Sequence, residues 1–232
     1  TMGFDKISND GRYLKVYSLK KMIDTLGQPW DDSENLFTAR MLLLLESKPI
    51  FNEELYTEFL SSIINHYFRD KRGKRSFKPL FLINDILRYW RTLCLNYEIV
   101  RDDPNRPYRK KNINLKFSRM LTVFGTILPL ITQPVTDAVE VHELVEFTPH
   151  QRFAKGLDML SDSSLLEGYA EFLNNYEGFL KLKEELGSIS ELSDQDERYE
   201  QSRTAAKQVS DFIYRALSHD KIDKELRKFL IL

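Results

Sequence analysis

Cysteine is nearly absent. The one thiol among 232 residues, Cys94, excludes a disulfide framework. It sits between Leu93 and Leu95, where a free thiol behaves as a small buried hydrophobe. A nucleophilic role would call for a histidine and an electropositive setting. The four histidines (His66, His142, His150, His219) are scattered without such a partner. None pairs with another at metal-ligand spacing, so no metal site is expected. There is no excess of charge of either sign: 34 Lys and Arg stand against 35 Asp and Glu, so any basic surface must be local. No apolar run reaches the length of a membrane span, and Thr1 to Asp10 lacks the order of a signal peptide. These absences imply no membrane and a cytoplasmic chain. Phosphate-cradling glycine loops of either common kind are missing as well. Thr1-Met2-Gly3 reads as a tag or lead-in, covering residues 1–11, of a chain that is part of something longer.

Glycine and proline are sparse, nine and eight, and fall between long periodic stretches. That punctuation predicts an all-α protein, a multi-helix bundle of about eight helices with at most one short N-terminal strand over Arg12–Tyr17. Ser18 caps a helix that stops at Gly27, and a second runs from about Ser33 to Ser47. Asn52 caps a third, reaching about Phe68. The most apolar helices, from about Pro79 to Val100 and Asn112 to Thr132, form the core, the latter with a kink expected at Pro129. Thr136 and Thr148-Pro149 start two short helices. A long one runs from about Ser164 to Leu186, Ser188 to Asp194 is the linker, and two more close the chain. Gly187-Ser188 with Asp194-Gln195-Asp196 imitates a metal-binding acid pair. Its polar setting makes Gly187 a helix stop and Asp194 a helix start instead.

Two polar stripes stand out on the apolar helices. Asn84, Arg88 and Arg91 follow i, i+4, i+7 spacing, and Asn112, Lys116 and Arg119 repeat it. In an antiparallel hairpin the stripes would line one surface, and cations gathered away from water need an anion. Phosphates of a nucleotide or of a nucleic-acid acceptor are one source, suited to guanidinium forks. Internal pairing with Asp85, Glu98 or Glu46 is the other. The basic segments Arg69 to Lys78 and Arg101 to Lys111 could follow a phosphate backbone, or be solvated loops. Trp90 and Tyr89 are expected in the core.

The run Phe81-Leu82-Ile83-Asn84-Asp85-Ile86-Leu87-Arg88-Tyr89-Trp90-Arg91-Thr92-Leu93-Cys94-Leu95-Asn96-Tyr97-Glu98 resembles a segment of bacterial nucleotidyltransferase-like proteins of the DNA polymerase beta superfamily. Arg40 to Ser47 and Asn114 to Arg119 do so too. The resemblance implies a nucleotidyltransferase-associated helical core over 12–132, with residues 133–232 a C-terminal helical extension packed on it. It implies an accessory domain that contributes phosphate or acceptor contacts through Asn84, Asp85, Arg88, Arg91, Lys116 and Arg119. No catalytic residue is assigned to this chain. The metal-binding carboxylates and their magnesium would belong to the chain's own N-terminal catalytic domain, absent from this sequence. Two alternatives stay open. One is a non-catalytic helical protein-interaction scaffold. The other is an RNA-binding or RNA-cleaving domain of a toxin or defence system, built on Arg215 and His219.

Overall fold

The computed structural model describes residues 16–72, 77–99, 101, 108–133, 135, 137–185, 193 and 195–231. The described residues are helical with no strand, an all-α fold with somewhat more helices than the eight expected. Most of the expected N-terminal strand lies outside them, and Val16 and Tyr17 belong to no element. The chain divides into two compact units between His66 and Tyr67.

The first unit holds α1 (Leu19–Asp24), α2 (Trp30–Ser33), α3 (Leu36–Glu46) and all of α4 (Glu53–Tyr67) but its last residue, Tyr67, which belongs to the second. Ser18 caps α1 through the Lys21 amide, and Gly27 after it takes a positive φ of 82°. Asn52 caps α4 through Leu55. The helix expected from Ser33 is broken at Asn35, whose left-handed backbone separates α2 from α3. α3 is apolar almost all round, so it is buried on most sides, and its one cation is buried with it. Arg40 has no solvent exposure. Its guanidinium donates to both carboxylate oxygens of Asp31, at 2.9 and 2.5 Å, and to the Met22 carbonyl at 3.1 Å.

In the second unit α5 (Leu80–Ile99) precedes one continuous helical run. That run comprises α6 (Tyr108–Asn114), a π-helical stretch (Leu115–Arg119) and α7 (Met120–Thr132). Among the described residues it is the one stretch long and apolar enough to cross a membrane, and 67% of its apolar window is buried inside the fold, as in a core helix. Then come α8 (Ala138–Glu146), α9 (Pro149–Leu160), α10 (Ser163–Glu185), α11 (Glu197–Leu217) and α12 (Lys224–Ile231). Asp137 caps α8 in a capping box with Glu140, one residue after the expected Thr136, which lies outside the described residues. Thr148 caps α9 in a second box with Gln151, with Pro149 leading the helix. Gly187 and Asp194 fall outside the described residues. Asp196, two residues after the expected Asp194, accepts the Arg198 amide at 3.0 Å and starts α11.

α7 and α9 pack over the greatest extent, and glycines set their approach. A Cβ on Gly125 would stand 2.8 Å from the Pro149 carbonyl oxygen, and one on Gly156 2.7 Å from Leu128. Around this crossing Phe117, Phe153, Phe172, Phe179 and Phe212 form the core, with Phe117 stacked on Phe179 at 4.6 Å. Arg152 is buried beside it. Its guanidinium donates to the carbonyls of Leu144, Val145 and Phe147 at 3.2, 2.7 and 2.9 Å, and to Thr126 Oγ1 at 3.0 Å. The first three are carbonyls at the end of α8, of which Leu144 also accepts the Phe147 amide, and a cation there is stabilised by the helix dipole.

Candidate functional site

Three of the four candidate residues on α5 share one face, and the fourth lies a quarter-turn round. At about 100° per residue, Asn84, Arg88 and Arg91 lie opposite the buried Leu82, Ile86 and Tyr89. Asn84 and Arg91 are accordingly exposed, and Arg88 is half-buried. Asp85, a quarter-turn round, is fully buried. Its carboxylate accepts the Tyr67 hydroxyl at 2.7 Å and Arg88 Nη1 at 3.3 Å. Arg88 is thereby held by an internal carboxylate, and Asp85 is satisfied inside the fold. Tyr89 is core, and Trp90 meets Phe124 of α7 edge-on at 5.4 Å.

The second stripe runs through the π-helical stretch. The Met120 amide reaches back five residues to Leu115, so straight α-helical spacing does not hold from Asn112 to Arg119. Arg119 is half-buried at the end of the stretch. Asn112 and Lys116 are brought to α11. Asn112 Nδ2 donates to the Tyr108 hydroxyl at 3.5 Å on the side of α6 that packs against α11, and Lys116 lines a groove between the start of α7 and α11.

That groove, about 630 Å³, is lined by Lys116 and Met120 on one side and by Glu200, Arg203, Thr204, Lys207, Ser210 and Asp211 of α11 on the other. Three cations stand there against two carboxylates, and Arg203 holds Glu200 at 2.7 Å. Two hydroxyls complete the polar lining. Arg203 and Lys207 carried no signal in the sequence. With Glu200 and Asp211 at helical spacing around them, they read as an ordinary solvated face. Only the packing of α11 beside Lys116 makes them part of a site.

On its other side α11 forms a second groove with α10, of about 460 Å³. The stacked Phe117 and Phe179 lie in its lining, with Asn174, Asn175, Lys181, Arg198 and Gln201.

Three of the described members of the basic segments are engaged with acids of the fold. Lys71 reaches Asp137 at 3.4 Å, Lys78 reaches Asp223 at 2.5 Å, and Arg101 binds Glu98 at 3.1 Å and covers the Tyr108 ring. Residues 73–76 and 102–107, the remainder of those segments, lie outside the described residues. Of the pair Arg215 and His219, the first is exposed and the second half-buried. Arg215 lies over Phe212 at 5.3 Å. His219 Nδ1 accepts the Lys221 amide at 3.1 Å, which leaves Nε2 as the donor to Asp162 at 3.0 Å.

Cys94 is half-buried, and desolvation pushes its thiol above the ordinary value, the opposite of an activated nucleophile. Among the described residues no three His, Cys, Asp or Glu side chains gather closely enough to share a metal ion. No family model, curated protein or solved structure matches the chain.

Proposed function

We propose that this chain is a non-catalytic helical module that holds phosphates, of a nucleotide or of a nucleic-acid acceptor, in the groove between Lys116 and α11. One observation carries the reading: Lys116, Arg203 and Lys207, from two distant parts of the sequence, line a single open groove with the Thr204 and Ser210 hydroxyls. Ammonium and guanidinium donors beside hydroxyls match the acceptor-only oxygens of a phosphate. The resemblance of three segments to nucleotidyltransferase-like proteins supports taking the module as an accessory to such a catalytic domain, which would bring the acids and the magnesium. A chain with one thiol fits a cytoplasmic setting.

Calorimetric titration with each nucleoside triphosphate and with a single-stranded oligonucleotide tests the proposal. Binding should weaken as salt rises, and the pair Lys116→Ala and Lys207→Ala should weaken it at least about tenfold, or 1.4 kcal/mol. Binding that is absent, or indifferent to both lysines, overturns it.

A second reading, the interaction scaffold, draws on the network of Tyr67, Asp85 and Arg88. There Arg88 is structural. Arg88→Ala would leave a buried carboxylate with one partner fewer and lower the melting temperature, with no effect on any ligand.

A further inference from the structure

The lining of the Lys116 groove narrows its ligand. Among the described residues that line it there is no aromatic side chain, and Met120 and Ala206 are its apolar members. Pockets for a small molecule are lined chiefly by apolar and aromatic groups, and a base held by a protein is stacked on a ring. This lining offers cations and hydroxyls instead, donors suited to phosphate oxygens.

The cations also stand in a row. On α11, Arg203 and Lys207 lie one turn apart and exposed, with half-buried Lys116 across the groove. Beyond Lys207 the row stops, because exposed Asp211 closes that end with a negative charge. At the other end Glu200 is held by Arg203 at 2.7 Å, so its charge is offset. Past Glu200 the packing of α6 on α11 brings in another cation. Burial pushes the Tyr199 hydroxyl above its ordinary pKa, and the positive fields of Arg203 and Arg109 oppose that rise, so both guanidinium groups stand within reach of it. Arg109, half-buried on α6, thus continues the row. From Tyr199 to Lys207 α11 rises about 12 Å. A strand of a nucleic-acid helix advances about 3.4 Å per phosphate, so the row takes about three or four of them. The phosphates of one nucleotide would engage only part of it, and the base would have no seat.

We propose, on the reading that this groove holds phosphates, that its ligand is a nucleic-acid strand held by its backbone. The strand runs along α11 from Lys207 past Arg203 to Arg109, with Lys116 facing it and its bases turned away from the protein. Contacts confined to phosphates position a strand and carry no sequence information.

Competition against a fluorescent oligonucleotide on the full chain tests this. A nucleoside triphosphate should compete no better than inorganic triphosphate, and oligothymidylate should bind like oligoadenylate. A strand of about five nucleotides should bind at least about tenfold more tightly than a dinucleotide. Arg109→Gln should weaken that longer strand about fivefold and lower its salt slope by about one, while leaving inorganic triphosphate unaffected. The comparisons of length and base use the native chain and do not depend on how the variant folds. Equal affinity for the two lengths, a nucleoside triphosphate bound at least tenfold better than inorganic triphosphate, a clear preference for one base, or a longer strand indifferent to Arg109→Gln would each overturn the proposal and leave the phosphate reading standing. No binding of inorganic triphosphate or of any strand would overturn both.

Discussion

Arg40 and Asp31 meet as a two-point ion pair with both side chains withdrawn from solvent. Removing one partner strands the other charge in a low-dielectric interior. Asp31→Ala or Arg40→Ala should therefore lower the stability of the first unit by about 3–5 kcal/mol. Arg40→Lys should recover little of it, because an ammonium cannot span both carboxylate oxygens and the Met22 carbonyl in one plane. Replacing both residues together by apolar ones of like volume should cost far less than either single change. Urea unfolding of the four variants, followed by circular dichroism, measures this. Equal losses for single and double variants would mean that packing, not the charge pair, sets the stability here.

Helix limits were legible because caps act locally. Ser18, Asn52 and Thr148 each satisfy an amide three residues on, and nothing distant is needed to see it. The Arg40 pair was half legible. A cation alone in an apolar helix must find an acid, but α2, the short helix that presents Asp31, is only four residues long and gives no periodic signal. Arg152 was hidden for another reason. Its partners are carbonyls at the end of α8, which side-chain spacing does not reveal. For the candidate site, the sequence shows which residues share a helix face and not what that face meets. Asp85 turns to Tyr67, while Lys116 turns to α11, a helix whose cations are disguised by neighbouring acids. The π-helical stretch adds to this by altering the facing of the residues around it.

Three glycines in helices should respond to the same substitution with opposite signs. Gly178 of α10 has open space where a Cβ would go, so Gly178→Ala should stabilise the protein by about 0.5–1 kcal/mol through backbone entropy alone. Gly156→Ala drives a methyl to 2.7 Å from Leu128, which is fully buried and has nowhere to move. Gly125→Ala meets a backbone carbonyl at 2.8 Å. Both should destabilise by about 1–3 kcal/mol as overpacked contacts between α7 and α9. Urea midpoints for the three variants test this, and a loss at Gly178 would mean that the space beside it is occupied in solution.

The acid side of the stability profile should depend on Asp162. Its carboxylate accepts the Ser164 hydroxyl and amide, both at 2.8 Å, and Nε2 of His219 at 3.0 Å, and these bonds hold its pKa down to about 2. An unfolded aspartate titrates near about 3.9. Because the folded value is the lower one, the unfolded chain takes up this proton first as pH falls. The contribution is complete above about pH 4 and is lost progressively between about pH 4 and pH 2. Protonation there loosens two joints at once, the cap of α10 and the tie from that turn to the one after α11. Asp162→Asn keeps an acceptor for the Ser164 amide but does not titrate, so it should be less stable than the native chain at neutral pH. Its urea midpoint should also fall less steeply over that acid interval. Parallel profiles for the two proteins between pH 5 and pH 2 would show that Asp162 binds its proton alike in the folded and unfolded chain, and that its hydrogen bonds do not act as the geometry indicates.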